Sequence, residues 1–245
     1  MEIISIKTDL FREGDDLFTF IQGSLPTINN KDILAVTSKI VALSQRRVAH
    51  LKDKERIIKQ ESRKVIPTPW GYLTYTSEGW CINAGIDESN TEKEKMILMP
   101  RDIFSVAKTL RKQLKTFAEV EELGIVITDT RTIPLRAGTL GRAIGYAGFE
   151  PFKSYVDIPD LHGRRSRLTQ SNVADSLAAS AVLTMGEGAE RSPLAIVRSA
   201  PVVFTKDQDA EDPQETDLVF QPEDDIYKAV YAEPEYDLPG KQTNQ

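Results

Sequence analysis

Residues 102–130, DIFSVAKTLRKQLKTFAEVEELGIVITDT, place a helix directly before a strand. Ile103, Val106, Leu110 and Leu114 share one helical face, and Lys and Arg gather toward the C-terminal end, where the helix dipole favours positive charge. GIVITDT follows as a short apolar strand ending in Asp129. Working outward, residues 138–148 are rich in glycine, which permits tight turns or close approach of the backbone to a ligand. SNVADSLAASAVLTMGEG, residues 171–188, is an amphipathic helix with Val173, Leu177, Ala181 and Met185 spaced for burial, and Gly186 and Gly188 end it. PLAIVRSAPVVF, residues 193–204, is a final buried strand.

Upstream, EIISIK reads as a strand and DDLFTFIQG as a short helix opened by Asp15 and Asp16. KDILAVTSKIVALSQ, residues 31–45, reads as a buried strand running into polar Ser38 and Lys39. Residues 46–64 are densely charged and read as an exposed helix or a flap. Residues 71–86, GYLTYTSEGWCINAGI, form two strands around a Ser-Glu-Gly turn and deliver Asn83 to Asn90 at their end. Helices and strands alternate without a regular βαβ period, so the fold class is α+β, with mixed sheets and packed helices.

Composition narrows the function. The 245 residues are 40% hydrophobic and 28% charged, as in a globular protein that buries a real core. The single cysteine, Cys81, excludes an internal disulfide framework and a cysteine zinc site. The opening MEIISIKTDLFREGDD lacks a basic segment followed by an apolar one, and no apolar run reaches membrane-spanning length, so a cytoplasmic protein is expected. Residues 205–245 hold twelve acids against three lysines, which leaves residues 1–204 at a net charge of +3. That mild surplus suits an anionic small molecule such as a nucleotide and is too weak for nucleic acid. The expected division is a catalytic body, residues 1–204, and an acidic arm, residues 205–245, that docks in part through Phe220, Tyr227 and Tyr231.

Three acids end apolar elements beside small or polar residues: Asp87 in NAGIDESN, Asp129 in VITDT and Glu187 in MGEG. Hard cations such as Mg²⁺ and Mn²⁺ seek such oxygen ligands and bridge to phosphates. The chain has no G-x-x-x-x-G-K-[ST] phosphate loop and no G-x-S-x-G elbow, and His50 and His162 have no metal-ligand spacing.

In order, REGDDL, NAGIDESN, GIVITDT, RAGTLGRAIGYAG, DLHGR, VADSLAASAVLTMGEG and AIVR resemble the coenzyme F420-0:L-glutamate ligase family, over about residues 3 to 204. The resemblance implies a nucleotide-dependent amide ligase that adds L-glutamate to a carboxylate-bearing cofactor precursor, uses GTP (or ATP) with a divalent metal, and forms an intertwined homodimer. It assigns Asp87, Asp129, Thr130 and Glu187 to metal, and Ser38, Lys39, Asn90, Gly186 and Gly188 to the nucleotide. Lys39 and Arg136 would stabilise phosphate charge.

Two departures stand out. Leu43 occupies the place of a family lysine, and Thr132 and Ile133 replace a Gly-Arg pair. They leave three readings: the family reaction, the same chemistry on another acceptor such as a folate, or a nucleotide- or ligand-binding homologue without turnover.

Overall fold

The computed structural model describes residues 1–205 and 218–231. Its elements begin β1 (Glu2–Ile6), α1 (Leu17–Ser24), β2 (Asp32–Thr37), α2 (Ser38–Ser44), β3 (Val48–His50), α3 (Lys54–Gln60), β4 (Lys64–Thr68), β5 (Gly71–Thr76), β6 (Gly79–Ile82) and β7 (Lys95–Ile97). They continue α4 (Ile103–Ala118), β8 (Leu123–Thr132), β9 (Thr139–Ala147), β10 (Phe152–Ser154), β11 (Gln170–Asn172), α5 (Val173–Met185), β12 (Leu194–Arg198) and α6 (Lys228–Tyr231). The α+β expectation holds.

A five-stranded sheet in the order β1-β12-β2-β8-β9 forms the centre, and β2 with β8 is its one parallel pair. The strand period of two explains why DILAVT and LAIVR are apolar almost throughout. Leu34, Val36, Ile125, Ile127, Leu194 and Ile196 pack with α1, α2 and α4 on one face. Ile33, Ala35, Val126, Ala195 and Val197 pack with α5 on the other. Strands covered on both faces read as continuous hydrophobic runs. The helix expectations also hold: Ile103, Leu110 and Leu114 of α4 are buried, as are Leu177, Ala181 and Met185 of α5. The Asp16 side chain caps α1 by accepting from the Thr19 N–H at 2.8 Å.

The long connection from β2 to β8 carries a smaller lobe, made of the antiparallel sheet β4-β5-β6, the ribbon β3-β7 and helix α3. The hairpin predicted for residues 71–86 is β5 and β6.

Four expectations are corrected. The strand read through residues 31–45 stops at Thr37, and the chain turns into α2, which buries Ile40, Val41 and Ala42. Residues 46–64 form β3, α3 and the start of β4 rather than one exposed helix or flap, because Ile57 and Ile58 are buried and Ile57 packs on Met96 and Leu98. The strand expected to end at Asp129 runs on to Thr132, since the glycine-rich residues 139–147 are themselves its partner strand, β9. Glycine there serves packing: a Cβ on Gly141 would stand 2.7 Å from Val182 of α5, and one on Gly145 2.5 Å from Ile103 of α4.

The fourth concerns the arm. Phe220 and Tyr227 are exposed, whereas Leu218 packs against the α5 face of the core and Val219 lies beside Gly79. An aliphatic pair therefore makes the contact expected of the aromatic rings. The Tyr231 side chain and residues 206–217 and 232–245 lie outside the described residues.

Candidate active site

The parallel register builds the floor of the site. Thr37 pairs with Thr128, so Ser38, where β2 gives way to α2, stands beside Asp129 of β8, and the Ser38 hydroxyl donates to Asp129 Oδ1 at 3.3 Å. Clefts beyond the C-terminal ends of such strands are where open sheets bind ligands. A β-bulge between Ile127 and Thr128 falls just before Asp129, and bulges commonly re-aim side chains beside active sites.

A cleft of about 390 Å³ opens there, lined by Ser38, Lys39, Asp87, Asp129 and Glu187. Asn90, Thr130, Gly186 and Gly188 line it as well, so every expected site residue but one meets in a single place. The exception is Arg136. It lies exposed in the β8 to β9 connection, away from the cleft, because β8 carries the chain past the site before the turn.

The NAGIDESN loop reaches the cleft through an unusual turn. Asn83, Ala84 and Gly85 are successive left-handed residues, with φ of 52°, 56° and 70°. Asparagine and glycine tolerate that conformation, and alanine does so at a cost. The turn is pinned where the Ala84 N–H donates to Thr74 Oγ1 at 2.8 Å and the Tyr72 N–H to Asn83 Oδ1 at 2.9 Å. Asp87 Oδ2 then pairs with Lys39 Nζ at 2.8 Å, while Oδ1 accepts from the Ser89 N–H and hydroxyl, both at 2.7 Å. Burial pushes the Asp87 carboxyl up, but the Lys39 ammonium and the Ser89 donors outweigh it and hold the group below its usual range. Asn90 Nδ2 donates to the Gly188 carbonyl at 2.9 Å and ties this loop to the Gly-Glu-Gly loop.

Asp129 is clamped from the opposite side by Arg131 Nη1, which approaches Oδ2. Among the described residues Glu187 has no such partner. Its pKa is raised, first by burial, then by the charge of Asp129, with Asp87 and Glu190 adding to the effect and Lys39 opposing it. The donors therefore suit a hard divalent cation in kind, being all oxygen, and the repulsion at Glu187 is what a cation would relieve. Among the described residues, however, no three His, Cys, Asp or Glu side chains are gathered closely enough to grip one ion. Asp87 is turned to Lys39 and Asp129 to Arg131.

Sequence reasoning passed over Ser89 and Glu190, whose Oε2 accepts the Gly188 N–H at 2.7 Å. The available signal for Ser89 was spacing, since it stands two residues after Asp87, as in an Asx turn. Leu43 lines the cleft together with Ile40 and Phe11, forming an apolar wall. Among the described residues no helix is long and apolar enough to cross a membrane.

Known proteins are similar to this chain over most of its length. The family described as F420-0:Gamma-glutamyl ligase matches residues 5–199. A coenzyme F420:L-glutamate ligase of Archaeoglobus fulgidus is 30% identical over 213 residues, covering 79% of this chain and 85% of its own. One from Methanosarcina mazei is 32% identical over 212 residues, 78% of this chain and 83% of the relative. One from Methanococcus maripaludis is 30% identical over 250 residues, covering 93% and 97% respectively. With the matched segment spanning the sheet, the Asp87 loop, Asp129 and the Gly-Glu-Gly loop, the chain belongs to the F420-0:gamma-glutamyl ligase family.

Proposed function

We propose that this protein attaches L-glutamate to the carboxylate of a coenzyme F420 precursor, using GTP or ATP through an acyl phosphate. The observation that carries the reading is the meeting of Asp87, Asp129 and Glu187 with Lys39 in one cleft, although they come from four separate parts of the chain. The relatives, named as coenzyme F420:L-glutamate ligases, support the choice of substrates.

A carboxylate is a poor acyl donor because its oxide is a poor leaving group. In the proposed sequence a carboxylate oxygen takes the γ-phosphoryl group and the nucleoside diphosphate leaves. The deprotonated glutamate amine then attacks the acyl carbon, and inorganic phosphate departs as the amide forms. Phosphoryl transfer asks the protein mostly for positioning and charge neutralisation. Lys39, already held over the cleft by Asp87 and by the Ser89 carbonyl at 3.0 Å, is placed to meet phosphate oxygens. Ser38, Asn90 and the Gly186 to Gly188 backbone offer polar contacts around it. Mg²⁺ or Mn²⁺ held by Asp87, Asp129, Thr130 and Glu187 would supply neutralisation of triphosphate charge.

Leu43 on the cleft wall favours a second reading, binding without turnover, because a leucine offers no charge or donor to a phosphate. A folate in place of the F420 precursor is the variant of the first reading. With Mg²⁺ or Mn²⁺ and GTP or ATP, the purified protein is expected to release phosphate only when glutamate and an F420 precursor are both present. Release with folates alone would move the acceptor. Nucleotide binding with no release across both acceptor sets would establish the second reading.

The resemblance also implies a homodimer. Leu135, Leu161 and Leu168 are almost fully exposed, as suits side chains covered by a second copy. Light scattering should give twice the chain mass, falling to one chain in Leu161→Asp/Leu168→Asp. A wild-type monomer at micromolar concentration would remove the dimer from the proposal.

A further inference from the structure

Among the described residues, Arg131 is the guanidinium with buried N–H groups that meet no acceptor. Its side chain is only 9% exposed, and Nη1 is taken up by Asp129. Nε and Nη2 are shut off from solvent and meet no hydrogen-bond acceptor among the described residues. Those two N–H groups share one edge of the guanidinium plane and form the fork that receives both oxygens of a carboxylate side by side. Buried donors without acceptors are rare in native proteins, and those that persist call for an explanation. Arg142 stands opposite Asp129 in the β8/β9 register, with its Nη2 4.0 Å from Glu78 Oε2, so a second guanidinium adds positive charge beside the fork.

We propose that the Arg131 fork seats a carboxylate of the incoming amino acid, which makes Arg131 a substrate-reading residue behind the cleft wall. A planar, singly charged oxygen pair matches one guanidinium edge, whereas a phosphoryl group presents three oxygens and more charge than one fork neutralises. Arg131 meets Asp129 through Nη1 and does not itself line the cleft, so the proposed seat lies behind the wall that Asp129 forms. The left-handed turn Asn83–Gly85 lies against the guanidinium: a Cβ on Gly85 would stand 3.6 Å from Nη1. Because the fork is closed to solvent, a carboxylate reaches it only if a neighbouring segment moves, and we take this turn, which borders the guanidinium at Nη1, as the segment that moves. The identity of the amino acid rests on the ligase reading, but the fork itself is tested by binding alone.

The test is calorimetric titration of the full chain with L-glutamate, in the presence of Mg²⁺ and a non-hydrolysable GTP analogue, for wild type, Arg131→Lys and Arg131→Met. Arg131→Lys keeps the charge near Asp129 and removes the fork. Both variants are expected to lose at least about tenfold in glutamate affinity, a larger loss than in nucleotide affinity, while an unchanged far-ultraviolet circular dichroism spectrum reports that they are folded. A second measurement needs no variant: hydrogen exchange of residues 83–87 in the wild type should change with L-glutamate and not with its diamide. Unchanged glutamate affinity in both variants overturns the proposal, as does a loss confined to the nucleotide or to inorganic phosphate, which would make the seat a phosphoryl site. No exchange response at residues 83–87 overturns it as well. Arg131-dependent glutamate binding without any turnover would sustain the fork and sink the ligase reading instead.

Discussion

Asp129→Asn is expected to lower acceptor-dependent phosphate release by at least about a hundredfold, the scale on which removal of a preorganised charge acts on phosphoryl and acyl transfer. Asp129 is the junction of the site, since its two oxygens meet Ser38 from α2 and Arg131 from its own strand. Asparagine keeps the shape but removes the charge that opposes Arg131 and would face a cation. Part of the effect will be structural, because a buried guanidinium loses its counter-charge. Glu187→Gln separates the two. Glu187 has no ion-pair partner among the described residues, so the substitution breaks no ion pair, and activity should fall with no loss of melting temperature.

The pH dependence of that control has a definite sign. The folded-state pKa of Glu187 is raised by burial and by neighbouring carboxylates, so the folded protein binds the proton more tightly than the unfolded chain does. The ionised group then weakens the fold fully above the raised pKa, and the penalty disappears as pH falls below the ordinary glutamate value. Glu187→Gln should melt at or slightly above wild type at neutral pH and no higher than wild type near pH 4. Melting curves at both pH values in the absence of divalent ions check this. A marked drop at neutral pH would mean that Glu187 holds the loop together rather than facing the cleft.

Gly148→Ala should be the most damaging small substitution in the body. Gly148 has φ of 89°, and an added Cβ would stand 2.3 Å from the Leu123 carbonyl oxygen and 2.2 Å from Arg111 Nε. Arg111 could swing away, though only by breaking its 2.7 Å hydrogen bond to the same carbonyl. The carbonyl cannot, because it belongs to the start of β8. We expect a loss of about 3 kcal/mol or more in urea unfolding, a large share of the stability of an ordinary domain. Gly138→Ala is the comparison: its φ is 88°, yet nothing lies within 4 Å of the added carbon, so only backbone strain of about 1 kcal/mol applies. Equal losses at the two positions would show that conformation, not crowding, dominates at Gly148.

Particular elements show where reading the sequence works. Helices α4 and α5 were legible because their apolar spacing and terminal glycine are local properties. Strand β9 was not, since glycine lowers strand propensity and its justification, the approach of α4 and α5, lies more than thirty residues away in the chain. Arg136 was misplaced for a similar reason. Its distance from the cleft depends on how far β8 continues, and β8 continues because β9 pairs with it.

By itself the sequence determined the fold class, both long helices, the buried character of the central strands and three of the acids that line the cleft, Asp87, Asp129 and Glu187. Those are matters of period, composition and short motifs, which neighbouring residues settle among themselves. Only the tertiary structure decided that Ser38 meets Asp129, that Lys39 is held by Asp87 and that Asn90 reaches Gly188, contacts whose partners are 91, 48 and 98 residues apart. The register of one parallel strand pair and the crossing of two loops set those distances, and neither leaves a trace in local sequence. The unsatisfied edge of Arg131 is of the same kind, because burial is a property of the packed molecule and not of the residue.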